Sequence, residues 1–215
     1  MSSAHIPYID ALEAMNTEQL RQSLAQHGAT LAIACNNWAA EYPYTPTVTA
    51  HIAYSRHGIA LLFEVEESHT KAVELADNGR VWEDSCVEFF VANPMGCGYF
   101  NFELNAIATL LAAERTSREN AVHFTNEQLL QIRRHTSFDH APIDISTQNS
   151  WWAVELIPFS LLGLSEPPKM LRANLYKCGD NLRQPHFLSW SPITLDKPNF
   201  HCPDFFGTLT FEDYE

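Results

Sequence analysis

The sequence predicts an all-β protein: an antiparallel β-sandwich, immunoglobulin-like or jelly-roll-like, with a short N-terminal helix. About ten short runs combine β-branched and aromatic residues with apolar–polar alternation. Gly, Pro, Asn and Asp separate these runs, and a single segment has clear helical spacing. At 215 residues we expect one domain, 1–215, in which residues 1–30 are an N-terminal helical extension.

The composition argues against two classes of partner. The hydrophobic fraction of 46% and the charged fraction of 18% are typical of a folded domain with a sizeable core. A net charge of -13 repels the phosphates of nucleic acids and of anionic lipids. We therefore expect neither nucleic acid nor membrane as a partner, and a monomer or a weak homo-oligomer.

The cysteines and the first residues indicate a compartment. Five scattered cysteines contain no Cys-x-x-Cys pair, which is typical of free thiols in a reducing environment. The chain begins without a basic segment followed by an apolar run, so it shows no secretion signal, and no apolar segment is long enough to span a bilayer. These features predict a cytoplasmic protein.

Helical signals occur together near the N-terminus. Asn16 can cap a helix with Gln19 three residues later, Leu20 and Leu24 lie four residues apart, and Gly28 follows as a helix end. We interpret this helix as a packing element without chemistry.

The other elements follow in chain order. The pattern predicts strands at residues 30–35, 48–54, 59–66, 86–91, 99–105, 109–114, 131–138, 151–157, 170–178, 186–191 and 205–211. Helical turns are expected near Asn126 and over residues 159–164. A loop at residues 192–203, interrupted by prolines, separates the last two strands.

The hairpin of residues 86–91 and 99–105 has the clearest pattern. Its second strand places Phe100, Phe102 and Leu104 on one face, and Asn101, Glu103 and Asn105 on the other. Trp82 stands just before the first strand, and Glu88 follows six residues later. An aromatic ring beside amides and carboxylates suits a sugar, which has apolar C–H faces and a rim of hydroxyls. The alternative is a half-buried strand pair with Trp82 in the core.

Five tryptophans offer further aromatic surface: Trp38, Trp82, Trp151, Trp152 and Trp190. Adjacent Trp151 and Trp152 must point to opposite faces if they lie in a strand. Trp82 and Trp190 each stand near the end of a strand, where binding residues are common. We hypothesise that these two clamp a sugar ring from both sides, with core packing as the alternative.

Paired carboxylates allow a second hypothesis. Glu88 with Glu103, or with another nearby carboxylate, could form the acid/base pair of a glycoside hydrolase. The same residues could hold calcium, although no EF-hand spacing is present. Four later residues formally suit zinc but match no familiar spacing, so we favour coincidence: Cys178, His186, His201 and Cys202. No catalytic residue is assigned, and the metal ligands remain unknown.

Residues 79–91, Gly-Arg-Val-Trp-Glu-Asp-Ser-Cys-Val-Glu-Phe-Phe-Val, resemble the signature of family-nine carbohydrate-binding modules and their family-nine-like relatives. Segments 99–105, 171–180, 185–192 and 200–207 are similar to the same group, so the resemblance covers most of the chain from about Trp38 onward. It implies a β-sandwich that binds carbohydrate without catalysis. Some relatives carry endo-xylanase names, which we interpret as inherited from neighbouring catalytic domains.

The resemblance also implies site residues. Known members grip the end of a glucan or xylan chain between two tryptophans, with polar side chains bonding the terminal sugar. Trp82 matches the first tryptophan, Glu88 matches a carboxylate, and Asn105 matches an amide on the next strand. Glu103 departs from the family pattern, because a basic residue is expected at its position.

The second half of the implied site rests on a later segment. Trp190 is the candidate second tryptophan, and Asn174 and Lys177 lie on a segment expected to approach it. The resemblance implies structural calcium as well, without ligands assigned in this chain. Relatives are often secreted, whereas this chain shows no signal.

A third hypothesis is a sandwich interaction module that kept the scaffold and lost the sugar site. It predicts that Trp82 packs in the core and that no open aromatic cleft exists.

Overall fold

The computed structural model describes residues 1–213, which form sixteen strands and two α-helices. The helices are α1 (Thr17–His27) and α2 (Asn126–Leu129). The strands are β1 (Ser3–Ile6), β2 (Ala29–Ala32), β3 (Cys35–Asn36), β4 (Thr47–Tyr54), β5 (Gly58–Glu67), β6 (Thr70–Ala72), β7 (Cys86–Ala92), β8 (Tyr99–Asn105), β9 (Leu110–Arg115), β10 (Ala121–His123), β11 (Arg133–Thr136), β12 (Ile143–Ile145), β13 (Asn149–Pro158), β14 (Met170–Cys178), β15 (Phe187–Ser189) and β16 (Gly207–Phe211).

Two main sheets form the predicted antiparallel β-sandwich, so the expected fold class is confirmed. The larger sheet has the order β1-β16-β14-β7-β8-β9-β10, and β15 and β3 extend it beside the second half of β14. The smaller sheet has the order β11-β13-β5-β4-β2, and β12 and β6 form a third, two-stranded sheet. Among the paired strands named here, only β1 and β16 run parallel.

The main core lies between the inner faces of the two large sheets. Phe89 and Phe102 reach it from the larger sheet, and Ile52 and Phe63 reach it from the smaller one. All four are fully buried, as the alternation of apolar residues along these strands requires.

The outer face of the larger sheet is covered as well. Phe90, Tyr99 and Tyr176 point outward from β7, β8 and β14 into a second cluster, where they pack with Phe200 and Phe206. The covering residues come from the loop of residues 192–203 and the segment after it. Polar residues that alternate with the core residues on these strands are therefore enclosed rather than solvated.

Helix α1 covers the outer face of the smaller sheet. Leu20 and Leu24 pack there, and Asn16 and Gln19 form the predicted capping box. The helix ends at Gly28, whose backbone is extended and whose N–H donates to the carbonyl oxygen of Leu24. Glycine fits this position because a Cβ would lie 2.6 Å from that oxygen. Neither α1 nor α2, within the described residues, is long and apolar enough to cross a membrane.

The N-terminal residues are more than a helical extension. Strand β1 pairs with β16 at the end of the larger sheet, and Ile6 is fully buried in the main core. The four-residue run Ser-Ala-His-Ile is too short for its alternation to predict a strand. Strands β6, β10 and β12 have three residues each and were not predicted for the same reason.

Trp151 and Trp152 point to opposite faces of β13, as predicted. Trp151 lies in the main core and donates a hydrogen bond from Nε1 to Glu67 Oε1, 2.7 Å away. Trp152 packs on the outer side, with the Arg21 guanidinium 5.6 Å from its ring centroid.

Candidate functional site

A cavity of about 260 Å³ lies on the outer face of the larger sheet. Strands β7, β8, β9 and β14 supply its floor, and the loops around residues 82, 118, 180 and 200 supply its walls. The lining residues are Trp82, Glu88, Glu103, Arg115, Arg118, Cys178, Asp180, Phe187, Pro198, Asn199, Phe200 and His201.

Two carboxyl groups stand side by side on the floor. Glu88 and Glu103 are direct partners in the β7–β8 register, and each is only 3% exposed. Arg115 Nε donates to Asn101 Oδ1 at 2.8 Å, and Asn101 Nδ2 donates to Glu103 Oε1 at 2.8 Å. This chain of hydrogen bonds holds the Glu103 carboxyl in one orientation.

The environment of the two carboxyl groups favours their neutral forms. Burial raises the pKa of Glu103 to about 7, although Arg115 opposes the shift. Burial, followed by the charge of Glu103, raises the pKa of Glu88 well above its usual value. At neutral pH the pair therefore retains at least one proton, so the floor both donates and accepts hydrogen bonds.

Aromatic rings form part of the walls. Trp82 is half-buried, and its carbonyl oxygen accepts hydrogen bonds from Asp180 N at 3.2 Å and from Cys178 Sγ at 3.6 Å. Phe200 stacks on Tyr176 with ring centroids 4.1 Å apart and planes at 6°. The first two contacts position the backbone of Trp82, and the stacking holds the Phe200 ring in place before any ligand arrives.

Charged and polar groups complete the rim. Arg115 Nη1 donates to the carbonyl oxygen of Arg118 at 2.6 Å, which ties the two arginines together. Burial and the charge of Glu83 raise the pKa of Asp180 to about 6. Burial, with Arg115 and Arg118 nearby, lowers the pKa of His201 to about 3, so its imidazole is neutral at pH 7.

Two of the six predicted site residues, Trp82 and Glu88, line this cavity. Both residues belong to one short segment of the chain, because the 3₁₀ turn Val81–Glu83, which carries Trp82, leads almost directly into β7, which carries Glu88. The structure therefore brings together the aromatic ring and the carboxyl group of the predicted motif.

Trp190 lies elsewhere. Its side chain is 7% exposed and packs in the main core, close enough to Gly207 that a Cβ there would lie 2.6 Å from the ring. Trp82 and Trp190 do not line a common cavity, so the expected clamp of two tryptophans is not formed. Phe187 and Phe200 supply the other aromatic rings of the cavity.

Asn105 and Asn174 are fully buried and bonded within the protein. Asn105 donates from Nδ2 to Asp84 Oδ2 at 2.9 Å and accepts from Thr109 N at 2.8 Å. Asn174 exchanges two bonds with the backbone of Ser191, at 3.0 and 2.8 Å. Neither residue lines the cavity, and both order loops instead.

Lys177 points from β14 toward the space between the sheets, away from the cavity. Its Nζ lies 3.0 Å from Glu67 Oε2 and 2.9 Å from His186 Nε2, and all three residues are fully buried. The strand's alternation explains the difference, since the next residue, Cys178, faces the cavity.

The one close group of His, Cys, Asp or Glu side chains in the described residues does not suit calcium. Within residues 1–213, one group of three close His, Cys, Asp or Glu side chains occurs, namely Cys86, Glu88 and Cys178. Calcium is held by oxygen ligands, and two of these three are thiols. The four residues considered for zinc in the sequence are not brought together in this way.

Sequence reasoning missed much of the lining: Arg115, Arg118, Asp180, Phe187, Pro198, Asn199 and Phe200. Arg115 follows directly after the strand predicted at residues 109–114, and in the structure it extends that strand as the register partner of Tyr99. The residues from 198 onward lie in a loop without periodicity, so no pattern indicated that they cover the sheet.

Comparisons with known proteins agree with this architecture. A family model described as "Carbohydrate-binding family 9" matches residues 18–211. The crystal structure of a "putative carbohydrate-binding protein" from Bacteroides uniformis is 37% identical, with a TM-score of 0.92 over 98% of this chain and 99% of that chain.

More distant structures share the fold. A carbohydrate binding module family 9 from Caldicellulosiruptor kristjanssonii in complex with glucose has a TM-score of 0.66 at 8% identity, covering 100% of this chain and 97% of that chain. The module from the same organism in complex with cellotriose gives 0.63 at 8% identity, covering 100% and 95%. No curated protein sequence matches the chain.

Proposed function

The chain belongs to carbohydrate-binding family 9, and from this membership and the cavity on its larger sheet we propose that it binds a carbohydrate without converting it. One observation carries the proposal: a single cavity combines half-buried aromatic rings with paired carboxyl groups and two arginines. The relatives with glucose and cellotriose bound share this fold, which supports the same class of ligand.

The chemistry of the lining matches that of a sugar. Trp82, Phe187 and Phe200 offer apolar surface to the C–H face of a pyranose ring. Glu88 and Glu103 offer donors and acceptors to its hydroxyls. The volume of about 260 Å³ is at the small end for ligand pockets, which suits the end of a saccharide better than a long chain segment.

The paired carboxyl groups keep a glycoside hydrolase as the second candidate. Glu88 and Glu103 are register partners, and the Cβ atoms of such partners lie about 4.5–5.5 Å apart. Their carboxyl groups can therefore reach the separation of about 5–5.5 Å that retaining enzymes use. A retaining enzyme needs one ionised nucleophile and one acid. Here the pKa values of both Glu88 and Glu103 are raised, that of Glu103 to about 7, so only a fraction of the pairs holds an ionised carboxylate at neutral pH.

The third hypothesis, a module without a sugar site, required Trp82 in the core and no aromatic cleft. Trp82 instead lines a cavity together with two other aromatic residues. We therefore place this hypothesis behind the other two.

The test is calorimetric titration of the protein with cello- and xylo-oligosaccharides, chosen because the resemblance implies glucan or xylan ends. We expect saturable binding at one site, and a loss of at least about tenfold in affinity for Trp82→Ala, which corresponds to about 1.4 kcal/mol. Trp152→Ala is the matched control, because Trp152 lies on the outer face of the other sheet and should leave affinity unchanged.

Two results would count against this proposal. Equal affinity in wild type and Trp82→Ala would show that the cavity is not the site. Shorter sugars recovered after the titration, and their absence with Glu88→Gln, would instead establish the hydrolase.

A further inference from the structure

A second constellation lies in the floor of the cavity. Cys86 and Cys178 are direct partners in the β7–β14 register, and their Sγ atoms lie within 4.8 Å of each other. The Sγ atom of Cys178 lies 3.1 Å from Glu88 Oε1. The three ligand atoms all lie within 4.8 Å of one another, and all three residues are buried.

We propose that Cys86, Cys178 and Glu88 form a binding site for a thiophilic divalent ion of the Zn²⁺ class. In a tetrahedral zinc site the metal lies about 2.3 Å from sulfur and about 2.0–2.2 Å from a carboxylate oxygen, so neighbouring ligands are about 3.5–3.8 Å apart. The Cys178 Sγ–Glu88 Oε1 separation of 3.1 Å is slightly shorter than this, and the other two separations are at most 4.8 Å. Shifts of about 1 Å or less would therefore close the three ligands around an ion.

The position of the cluster allows an ion to enter. Glu88 and Cys178 line the cavity, while Cys86 lies behind them and is fully buried. A fourth ligand, such as water, would therefore occupy the cavity side, which gives three protein ligands and one open position. The net charge of -13 also favours the approach of a cation.

The nature of the ligands selects the ion. Two thiolates and one carboxylate prefer zinc-like and softer metals, whereas calcium and magnesium prefer sites built from oxygen. All five cysteines are free thiols, so Cys86 and Cys178 are available as ligands. The inference rests on this geometry and goes beyond the proposed sugar binding, with which it shares Glu88 and the cavity.

Cobalt is a suitable probe, because its thiolate complexes absorb visibly whereas those of zinc do not. Reduced, metal-free protein titrated with Co²⁺ should bind one ion per chain, with a thiolate-to-cobalt charge-transfer band that Zn²⁺ then abolishes. Cys86→Ser and Cys178→Ser should lose the band. Cys97→Ser is the matched control and should keep it, because Cys97 is exposed and outside the cluster.

The absence of the band in wild type, or its loss in Cys97→Ser, would overturn the proposal. If Cys86→Ser and Cys178→Ser fail to fold, the release of protons by the wild-type protein on binding Zn²⁺ is a second test. Thiols are ordinarily protonated at neutral pH and bind metals as thiolates, so Zn²⁺ should release about two protons or more per ion. This release appears in calorimetry as a dependence of the binding enthalpy on the buffer, and its absence would also overturn the proposal.

Sugar titrations of the metal-free protein separate this inference from the proposed function. Sugar binding without a cobalt band would reject the metal site alone, whereas a cobalt band without sugar binding would reject the carbohydrate proposal alone.

Discussion

Glu155 is a buried acid without a hydrogen-bond partner. It points from β13 into the space between the sheets, and neither of its oxygens accepts a hydrogen bond from the described part of the chain. Burial raises its pKa to about 8, although Arg134 opposes the shift from the neighbouring strand β11. Arg134 is itself paired with Asp77 at 2.5 Å. The Glu155 carboxyl is therefore mainly protonated in the native protein at pH 7.

The raised pKa of Glu155 makes stability depend on pH. The unfolded chain releases this proton near its usual value of 4.5, whereas the native protein keeps it until about 8. The native state thus binds more protons in that window, so its stability falls as pH rises from about 4.5 to about 8. Glu155→Gln should remove this component and be more stable than wild type at pH 8 and above, by an amount on the order of a few kcal/mol.

Urea unfolding of wild type and Glu155→Gln across this pH range measures the effect. Glu66→Gln is the control, because Glu66 is exposed on the adjoining strand β5 and should leave the pH profile unchanged. Parallel profiles for wild type and Glu155→Gln would contradict the expectation.

Strands of the two sheets are joined by a buried ion pair. Glu67 at the end of β5 and Lys177 near the end of β14 approach to 3.0 Å, and both are fully buried. Trp151 donates to the other oxygen of Glu67. Burial raises the pKa of Glu67, but Lys177, Ser85 and His186 together outweigh it and hold the pKa below its usual value. The Glu67 carboxylate therefore stays charged between the sheets.

Lys177→Met should destabilise the protein by about 3–5 kcal/mol, because Glu67 would remain as an unpaired buried charge. The double variant Glu67→Gln/Lys177→Met should recover much of this loss, since both charges are then removed. The measurement is a double-mutant cycle, in which the free energies of unfolding of wild type, Glu67→Gln, Lys177→Met and the double variant are compared.

Sugar affinity of the folded double variant should equal that of wild type, because Lys177 faces away from the cavity. A large loss of affinity with stability retained would instead place Lys177 at the ligand, as the family resemblance implied.

The N-terminal strand contributes both to the larger sheet and to the core between the two sheets. Strand β1 is the terminal strand of the larger sheet, and Ile6 contributes to the core between the two sheets. Residues 1–30 therefore supply both a strand to one sheet and the helix that covers the other. The fold depends on packing that joins the start of the chain to its final strand.

Ile6→Ala should reduce the free energy of unfolding by about 2–4 kcal/mol, the usual cost of removing a large buried side chain. Denaturant unfolding measures the loss, and Met1→Ala is the control because Met1 is 86% exposed. A change below about 0.5 kcal/mol for Ile6→Ala would show that the N-terminal segment is not an integral part of the core.

Local pattern was sufficient for most elements of the fold. The alternation of Phe100, Phe102 and Leu104 with polar residues predicted β8 with its observed bounds, and helix α1 followed from its cap and the spacing of Leu20 and Leu24. Such signals are local, because side chains two residues apart in a strand, or three to four apart in a helix, share a face in any fold. Trp82 and Glu88 were found for the same reason, since both belong to one short segment.

The sequence by itself therefore determined most of the longer strands, their faces and the aromatic–carboxyl motif at the start of β7. Only the tertiary structure decided which polar residues face an open cavity: Glu88 and Glu103 line it, whereas Asn105 and Asn174 bond within the protein and Trp190 packs in the core. Alternation shows which side chains share a face, but not which loop covers that face. Here the loop of residues 192–203 and the turn at Trp82 meet over the larger sheet, and residues distant in sequence form the site.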